Sequence, residues 1–505
     1  MIVHEDHRAR PWARLLAGAA CMLAVLFLAP SSALAFQDEE GETASAQPDD
    51  AKADDKTPER WFAVTGGDVH TGRGGSLRGA TVLAKNGKIE KIGYDLVLPP
   101  DTKVLDARGH RVYPGLVAIS SQGLVGSSNS DFEDTADPFN TRMILGLATG
   151  ITTTGAGTSA VKLKRFSVDG MVLAEKIFAT FTWSNRAPRG KADLREKFRV
   201  TSEYLRQYRE WEQKVKDQKD LAEPSKKGVD NSCLAVLKGD QTAKFTANGR
   251  DELLGIARLA QEFGFRPVIE GAQEGWTVAD ELGRAGARVI LTPRDRRPKD
   301  EQQAREGGTS IENAARLYNA GVQIAVVPST EGVDLGGIVG RDIIHLPVEV
   351  GFAVRGGLPE QAALEAMTIV PARILGISHR VGTLEVGKDC DLIVTDGDIL
   401  HYETFVQWAV VDGKQVYDKE KELFYAQIRR REPLEPAPRE LDKGETPTEP
   451  KDAESEDEAK DGEEQDDGTK EGEKKDGEDK DDEQGDGPGD DPKSDGSAGE
   501  DGDGG

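Results

Sequence analysis

The fold is decided by the stretch Val112-Tyr113-Pro114-Gly115-Leu116-Val117-Ala118-Ile119-Ser120-Ser121-Gln122. Its apolar run follows a Pro-Gly turn and ends on small polar residues, a pattern that predicts a buried strand. Strand and helix patterns alternate after it for about 250 residues, as expected of parallel strands joined by crossover helices. The sequence therefore predicts an α/β chain with a (β/α)8 barrel of the TIM type. Any chemistry in such a barrel lies at the carboxyl ends of its strands.

Short β segments flank the predicted barrel, which we place at residues 114–378. Residues 59–113 contain alternating apolar positions and an Asn-Gly hairpin turn, and residues 379–432 return to β patterns. The two flanks together predict one small β-sandwich or sheet domain beside the barrel. Within the barrel region, residues 193–220 predict a charged amphipathic helix that extends outside it.

The amino-terminal residues have the pattern of an export signal. Three arginines precede an apolar run at 15–29, and an Ala-x-Ala site follows at 33–35. This predicts a signal peptide at 1–35, export to the periplasm or cell exterior, and no stable membrane insertion after cleavage. An uncleaved anchor, or a lipid anchor on Cys21, is the alternative. Residues 36–58 predict an acidic linker.

The charge of the chain is concentrated in its carboxyl-terminal tail. The net charge is −26, and residues 451–505 hold 25 acidic residues against 7 lysines, a net of −18. Residues 433–505 hold too little apolar surface to fold and predict a disordered acidic tail. The remaining body is only mildly acidic, which gives no indication of nucleic-acid binding. Cys233 and Cys390 predict separate buried thiols, and the oligomeric state cannot be predicted.

Two stretches carry a resemblance to a known family. They are the Pro114–Val117 phrase and the block Ala363-Leu364-Glu365-Ala366-Met367-Thr368-Ile369-Val370-Pro371-Ala372-Arg373-Ile374-Leu375-Gly376, which is followed by Arg380–Val394. With them, roughly residues 60–430 resemble the metal-dependent amidohydrolase superfamily, in particular its imidazolonepropionase-like branch. The resemblance implies a barrel with a sheet domain and one or two divalent metals. It also implies a His-x-His pair on the first strand, further histidines on middle strands and a catalytic Asp on the last.

This sequence departs from that ligand set at each matching position. Ser120 and Gln122 stand at the His-x-His pair, Thr246 and Asn248 at later histidines, Gly271 at another, and Ser329 at the catalytic Asp. Of the seven histidines in the chain, only His345 lies within the predicted barrel, on a helix or loop. One imidazole cannot supply a transition-metal site of two or three histidines.

Carboxylates near the strand ends leave an alternative open. An oxygen-rich site for Mg²⁺, Mn²⁺ or Ca²⁺ could draw on Asp131, Glu133, Asp134, Glu270, Glu274, Glu331 and Asp334. A serine or cysteine nucleophile is disfavoured, because Ser120, Ser121, Ser329 and Cys233 have no activating base nearby in sequence.

These observations predict an exported amidohydrolase-like protein that lacks the metal ligands, a pseudoenzyme with no catalytic residue, metal or cofactor. We expect a small polar molecule to bind in a polar, uncharged barrel mouth lined by Ser120, Gln122, Thr246, Asn248 and Ser329. Glu270 and Gly271, at the position of a further family histidine, complete the candidate ligand-binding residues. The alternative is an active hydrolase of non-peptide carbon–nitrogen bonds with a divalent metal on oxygen ligands. A third hypothesis is a scaffold that uses the 193–220 helix or the tail.

Overall fold

The computed structural model describes residues 59–121, 123–125, 136–216, 221–333, 342–422 and 425. These residues all lie within a unit that ends at Glu435, and the unit Pro436–Gly505 lies outside the described residues. The predicted signal peptide, acidic linker and acidic tail also lie outside them. Within the described residues, no helix combines the length and the apolar character needed to cross a bilayer.

The described strands form three sheets. In chain order they are β1 (Trp61–His70), β2 (Ser76–Lys85), β3 (Lys88–Gly93), β4 (Lys103–Asp106), β5 (Arg111–Pro114), β6 (Leu116–Ala118), β7 (Ile151–Ala156), β8 (Ser159–Lys162), β9 (Val172–Ala174), β10 (Phe178–Phe181), β11 (Thr242–Ala247), β12 (Val268–Gly271), β13 (Arg288–Leu291), β14 (Gln323–Val326), β15 (Leu392–Thr395), β16 (Val406–Val411) and β17 (Lys414–Asp418).

The largest sheet joins the two ends of the chain. Its order is β17-β16-β15-β5-β1-β2-β3, with β4 beside β1, and β15 runs antiparallel to β5. The predicted single sheet built from both flanks is therefore present. The β2–β3 hairpin turns at Asn86 and Gly87, whose φ angles of 51° and 85° are those of the type I′ turn that Asn-Gly favours.

The Pro114-Gly115 pair moves the chain from one sheet to the next. β5 ends at Pro114 in the flank sheet, and β6 begins at Leu116 in another, so the deciding stretch forms two strands rather than one. A side chain at Gly115 would place its Cβ 2.0 Å from the Thr152 hydroxyl. Only glycine allows β7 to pass this close at the point where the two sheets separate.

The central region is α/β, with two parallel sets of strands. β10 to β14 form a five-stranded parallel sheet, and β6 pairs in parallel with β7. After β7 the chain turns back through the antiparallel strands β8 and β9 instead of crossing over in a helix. The regular β/α alternation of the predicted barrel is broken there, and no pairing closes β14 onto β6 within the described residues.

Nine α-helices are described. They are α1 (Thr141–Ala148), α2 (Pro188–Lys214), α3 (Asn231–Lys238), α4 (Arg250–Phe263), α5 (Ala279–Arg284), α6 (Asn313–Asn319), α7 (Leu346–Arg355), α8 (Glu360–Ala366) and α9 (Ile369–Ile374), with short 3₁₀ turns at Gly275–Thr277 and Ile343–His345.

The charged helix predicted at 193–220 is longer at its start and more firmly packed than expected. α2 begins at Pro188, and its first half buries Leu194 and Phe198. The Phe198 ring is fully buried and stacks on Phe265 with centroids 5.0 Å apart. The expected excursion is thus corrected for the first half of the helix, because its apolar stripe faces the parallel sheet.

Candidate functional site

The predicted site residues lie where neighbouring parallel strands end. β11 and β12 pair with Thr246 opposite Glu270 and Ala247 opposite Gly271, and β13 and β14 continue the same sheet. Because carboxyl ends of adjacent parallel strands share one edge, the residues after each strand converge. Ser329 follows β14 at that edge.

A cavity of about 140 Å³ occupies this edge. Four predicted residues line it: Asn248, Glu270, Gly271 and Ser329. Two others contact its wall. Ser120 donates a hydrogen bond to the Glu331 carboxylate at 2.5 Å, and Thr246 donates one to Glu270 at 3.4 Å. Gln122 lies outside the described residues. We call this cavity the strand-end cavity.

The strand-end cavity is polar, but the expectation that it is uncharged was wrong. Asp295 and Glu331 also line it, and both lie on loops. Glu270 is balanced by Lys244, whose Nζ lies 3.1 Å from its carboxylate on the neighbouring strand. Glu331 receives the Ser120 hydroxyl instead. The cavity is therefore rich in hydrogen-bond acceptors.

Gly271 and Asn248 are mutually constrained. Gly271 has a φ of 100°, and a Cβ built on it would lie 2.2 Å from the Asn248 Oδ1. That Oδ1 is buried and accepts no hydrogen bond in the structure. Any side chain at 271 would therefore strain the backbone and collide with Asn248, which fills the space such a side chain would need.

The described lining of the strand-end cavity contains no imidazole and no thiolate. Its side-chain donors are hydroxyls, amides and carboxylates, which suit Mg²⁺, Ca²⁺ or Mn²⁺ better than the zinc that imidazole and thiolate groups hold. Within the described residues, the single grouping of three or more potential ligand side chains is Asp389, Asp391 and Asp412, none of which lines this cavity.

The carboxylates considered for an oxygen-rich site have different surroundings. Glu274 is buried and accepts hydrogen bonds from the backbone nitrogens of Arg250 and Gly308, both at 2.9 Å. It therefore fixes the start of α4 and a loop. Glu270 and Glu331 remain in the cavity, while Asp131, Glu133, Asp134 and Asp334 lie outside the described residues.

His345 lies at the end of a 3₁₀ turn, away from the strand ends, as a helix or loop position predicts. Burial lowers its pKa below the ordinary value, which favours the neutral ring. Cys233 and Cys390 are both free and buried, as predicted. Burial raises the pKa of Cys233 to about 12, so its thiol is not a ready nucleophile.

Asp389, Asp391 and Asp412, which we call the aspartate group, were not predicted as a site. They surround the buried ammonium of Lys162. Lys162, fully buried at the end of β8, has its Nζ 2.7 Å from Asp389, 2.8 Å from Asp391 and 2.6 Å from Asp412. Burial alone would lower the pKa of Lys162, but the three carboxylates raise it well above its usual value. Three carboxylates this close could hold a metal ion. Here the lysine ammonium already supplies a cation at their centre.

Segments of this chain are similar in sequence to known proteins. Residues 246–420 match the amidohydrolase family model. A 68-residue segment is 46% identical to N-acetylglucosamine-6-phosphate deacetylase of Danio rerio, covering 14% of this chain and 16% of that protein. A 190-residue segment is 26% identical to imidazolonepropionase of Bdellovibrio bacteriovorus, covering 33% and 41%. The chain thus spans less than half the length of either relative.

A solved structure shows the same fold. An amidohydrolase from Thermotoga maritima MSB8 superposes with a TM-score of 0.54 at 22% identity, over 71% of this chain and all of that one. Fold and cavity define an α/β protein with a polar site where parallel strands end. The chain is related to the amidohydrolase superfamily, which confirms the resemblance seen in its sequence.

Proposed function

We propose that this chain is an exported amidohydrolase-like protein that binds a small polar molecule in the strand-end cavity and has lost the metal site. The observation that carries the proposal is the pairing of Gly271 with Asn248. It goes beyond the absence of a histidine, because the Asn248 side chain occupies the space that a side chain at 271 would enter. A histidine at position 271 would therefore collide with Asn248.

The lining of the cavity supports a class of ligand. Glu270, Asp295 and Glu331 line the cavity with carboxylate oxygens. A hydrogen bond to a charged group contributes about 1.5–3 kcal/mol, so a ligand that donates hydrogen bonds is favoured. A volume of about 140 Å³ limits the ligand to a small molecule. We therefore expect a small donor-rich compound, such as an amine or an amide.

The competing function is an active hydrolase that holds a divalent metal on oxygen ligands. Glu270, Asp295 and Glu331 in one cavity are the observation that favours it. Lys244 within 3.1 Å of Glu270 opposes it, because the ammonium competes for the same carboxylate.

Metal content separates the two proposals. The full chain is incubated with Zn²⁺ and Mn²⁺, passed through gel filtration and analysed by inductively coupled plasma mass spectrometry. The binding-protein proposal predicts no stoichiometric metal that depends on Glu270 or Glu331. Near-stoichiometric metal that disappears in Glu270→Ala and Glu331→Ala would overturn the loss of the metal site and support the hydrolase.

A matched control locates any metal that is found. Asp391→Asn changes the aspartate group and leaves the strand-end cavity intact. Metal lost in this variant and retained in Glu270→Ala belongs to the aspartate group. Ligand binding is then measured by thermal shift with small amines and amides, and Asn248→Ala should weaken the binding of any compound that stabilises the chain.

A further inference from the structure

An apolar groove lies beside α7, apart from the strand-end cavity. Two adjoining cavities of about 420 and 300 Å³ share the walls Pro347, Val348, Ile399, His401 and Tyr402. Because they share these walls, the two cavities form one continuous depression, which we call the α7 groove.

The α7 groove exposes large apolar side chains. Ile311 is 57% exposed, Phe352 is 39% exposed and Tyr402 is 78% exposed, and all three lie in its larger part. A contiguous apolar depression of this kind on a protein surface marks a place where another surface binds. Arg355, at the end of α7, adds a positive charge to the wall.

The chain leaves the described structure in the wall of this groove. Tyr425 lines the smaller cavity, and its ring lies 5.9 Å from that of Phe405. The next residues are Ala426-Gln427-Ile428-Arg429-Arg430-Arg431-Glu432-Pro433-Leu434-Glu435. An extended chain advances about 3.3 Å per residue, so Ile428 lies within about 10 Å of Tyr425 and Leu434 within about 30 Å.

We propose that residues 426–435 of this same chain occupy the α7 groove. Ile428 fills the smaller cavity near Tyr425, and Leu434 fills the larger one beside Phe352. Three arginines at 429–431 outnumber the two glutamates of the segment, so its fit to the groove rests on Ile428, Leu434 and its length rather than on charge. The segment holds the two large aliphatic residues nearest the exit point, and its length suffices to cross both cavities.

Hydrogen exchange on the full chain tests this proposal. The double variant Ile428→Asp/Leu434→Asp removes both apolar anchors, and Leu441→Asp is the control, because it makes the same change outside the segment. We expect amide exchange in residues 346–355 and 399–404 to rise about tenfold in the double variant and to remain unchanged in the control. Circular dichroism checks that each variant is folded.

A second variant approaches the same contact from the groove side. Gly351 lines the larger cavity, and a Cβ built on it has no neighbour within 4 Å, so Gly351→Leu adds a side chain at an open position of the groove. It should increase exchange in residues 426–435. Unchanged exchange in both the double variant and Gly351→Leu would overturn the proposal. A dimer seen by light scattering that keeps the groove protected in the double variant would identify a second copy as the occupant and overturn it equally.

Discussion

Replacing Lys162 by methionine tests the buried ion network most severely. The substitution keeps an unbranched side chain that is one atom shorter and removes the charge from a fully buried position. Asp412 would keep Lys164 at 2.6 Å, and Asp389 would keep Arg380 at 2.8 Å. Asp391 would keep only its hydrogen bond from the Asp412 backbone nitrogen, at 2.8 Å. The variant therefore leaves one uncompensated buried carboxylate.

The expected loss at pH 7 is about 3–5 kcal/mol of the free energy of unfolding, the usual result of breaking one side of a buried ion pair. Burial already raises the pKa of Asp391 above its ordinary value, and without Lys162 it rises further. A carboxyl with a higher pKa in the folded than in the unfolded state binds its proton more readily when folded. The deficit of the variant should therefore shrink as the pH falls from 7 toward 5.

The wild-type network has the opposite dependence at lower pH. Burial would raise the pKa of Asp412, but Lys162 and Lys164 hold it below the ordinary value. The stability this gives is present above the unfolded-state pKa and is lost as the pH falls through the lower, folded-state pKa. Urea unfolding followed by tryptophan fluorescence at pH 7 and pH 5 measures the effect at Asp391. A further series at about pH 3, below the unfolded-state pKa of an aspartate, measures the effect at Asp412.

Lys164→Met is the matched control for this prediction. Lys164 is partly exposed and contacts Asp412 alone among the three aspartates. The Lys164→Met variant should therefore lose at most about 1 kcal/mol of the free energy of unfolding. A Lys162→Met loss as small as that of the control, or one that does not change with pH, would refute the reasoning.

Three further substitutions test other parts of the structure by urea unfolding. Gly271→Ala should lose about 1–3 kcal/mol, because it adds backbone strain and a collision with Asn248, and an unchanged midpoint would contradict the constraint described above. Phe198→Ala should lose about 3–5 kcal/mol, and a loss below about 1 kcal/mol would show that α2 is not packed on the sheet. Glu274→Ala should lose about 1–3 kcal/mol by stranding the Gly308 backbone nitrogen, and wild-type stability would refute the role of Glu274 in holding that loop.

Periodic patterns allowed much of the fold to be predicted. β12 to β14 and the helices between them follow from apolar runs separated by amphipathic segments, and β13 and β14 are each buried at three of their four positions. The turns at Asn86-Gly87 and Asp412-Gly413 follow from local conformational preference, and both pairs have positive φ.

The buried ion pairs of Lys162 could not be predicted from the sequence. Lys162 ends a four-residue strand whose pattern gives no sign that its ammonium is fully buried. Its partners lie more than 220 residues further along the chain, and only the folded sheet brings them together. The β8–β9 hairpin was missed for a similar reason, because strands of three or four residues are too short to show a period.

The family resemblance located the candidate site in the sequence, but it did not predict the charge of the site. The positions Thr246, Asn248 and Gly271 follow from strand ends that a family pattern marks. Asp295 and Glu331 reach the same cavity from loops, whose path a sequence pattern does not determine. The predicted neutral cavity was wrong for that reason.

The central proposal is that the strand-end cavity does not bind zinc. Crystals of the full chain grown with zinc, measured at the zinc absorption edge, test it directly. The account predicts no anomalous peak among Ser120, Asn248 and Ser329. A strong peak there, within about 2.0–2.3 Å of protein ligands, would contradict it.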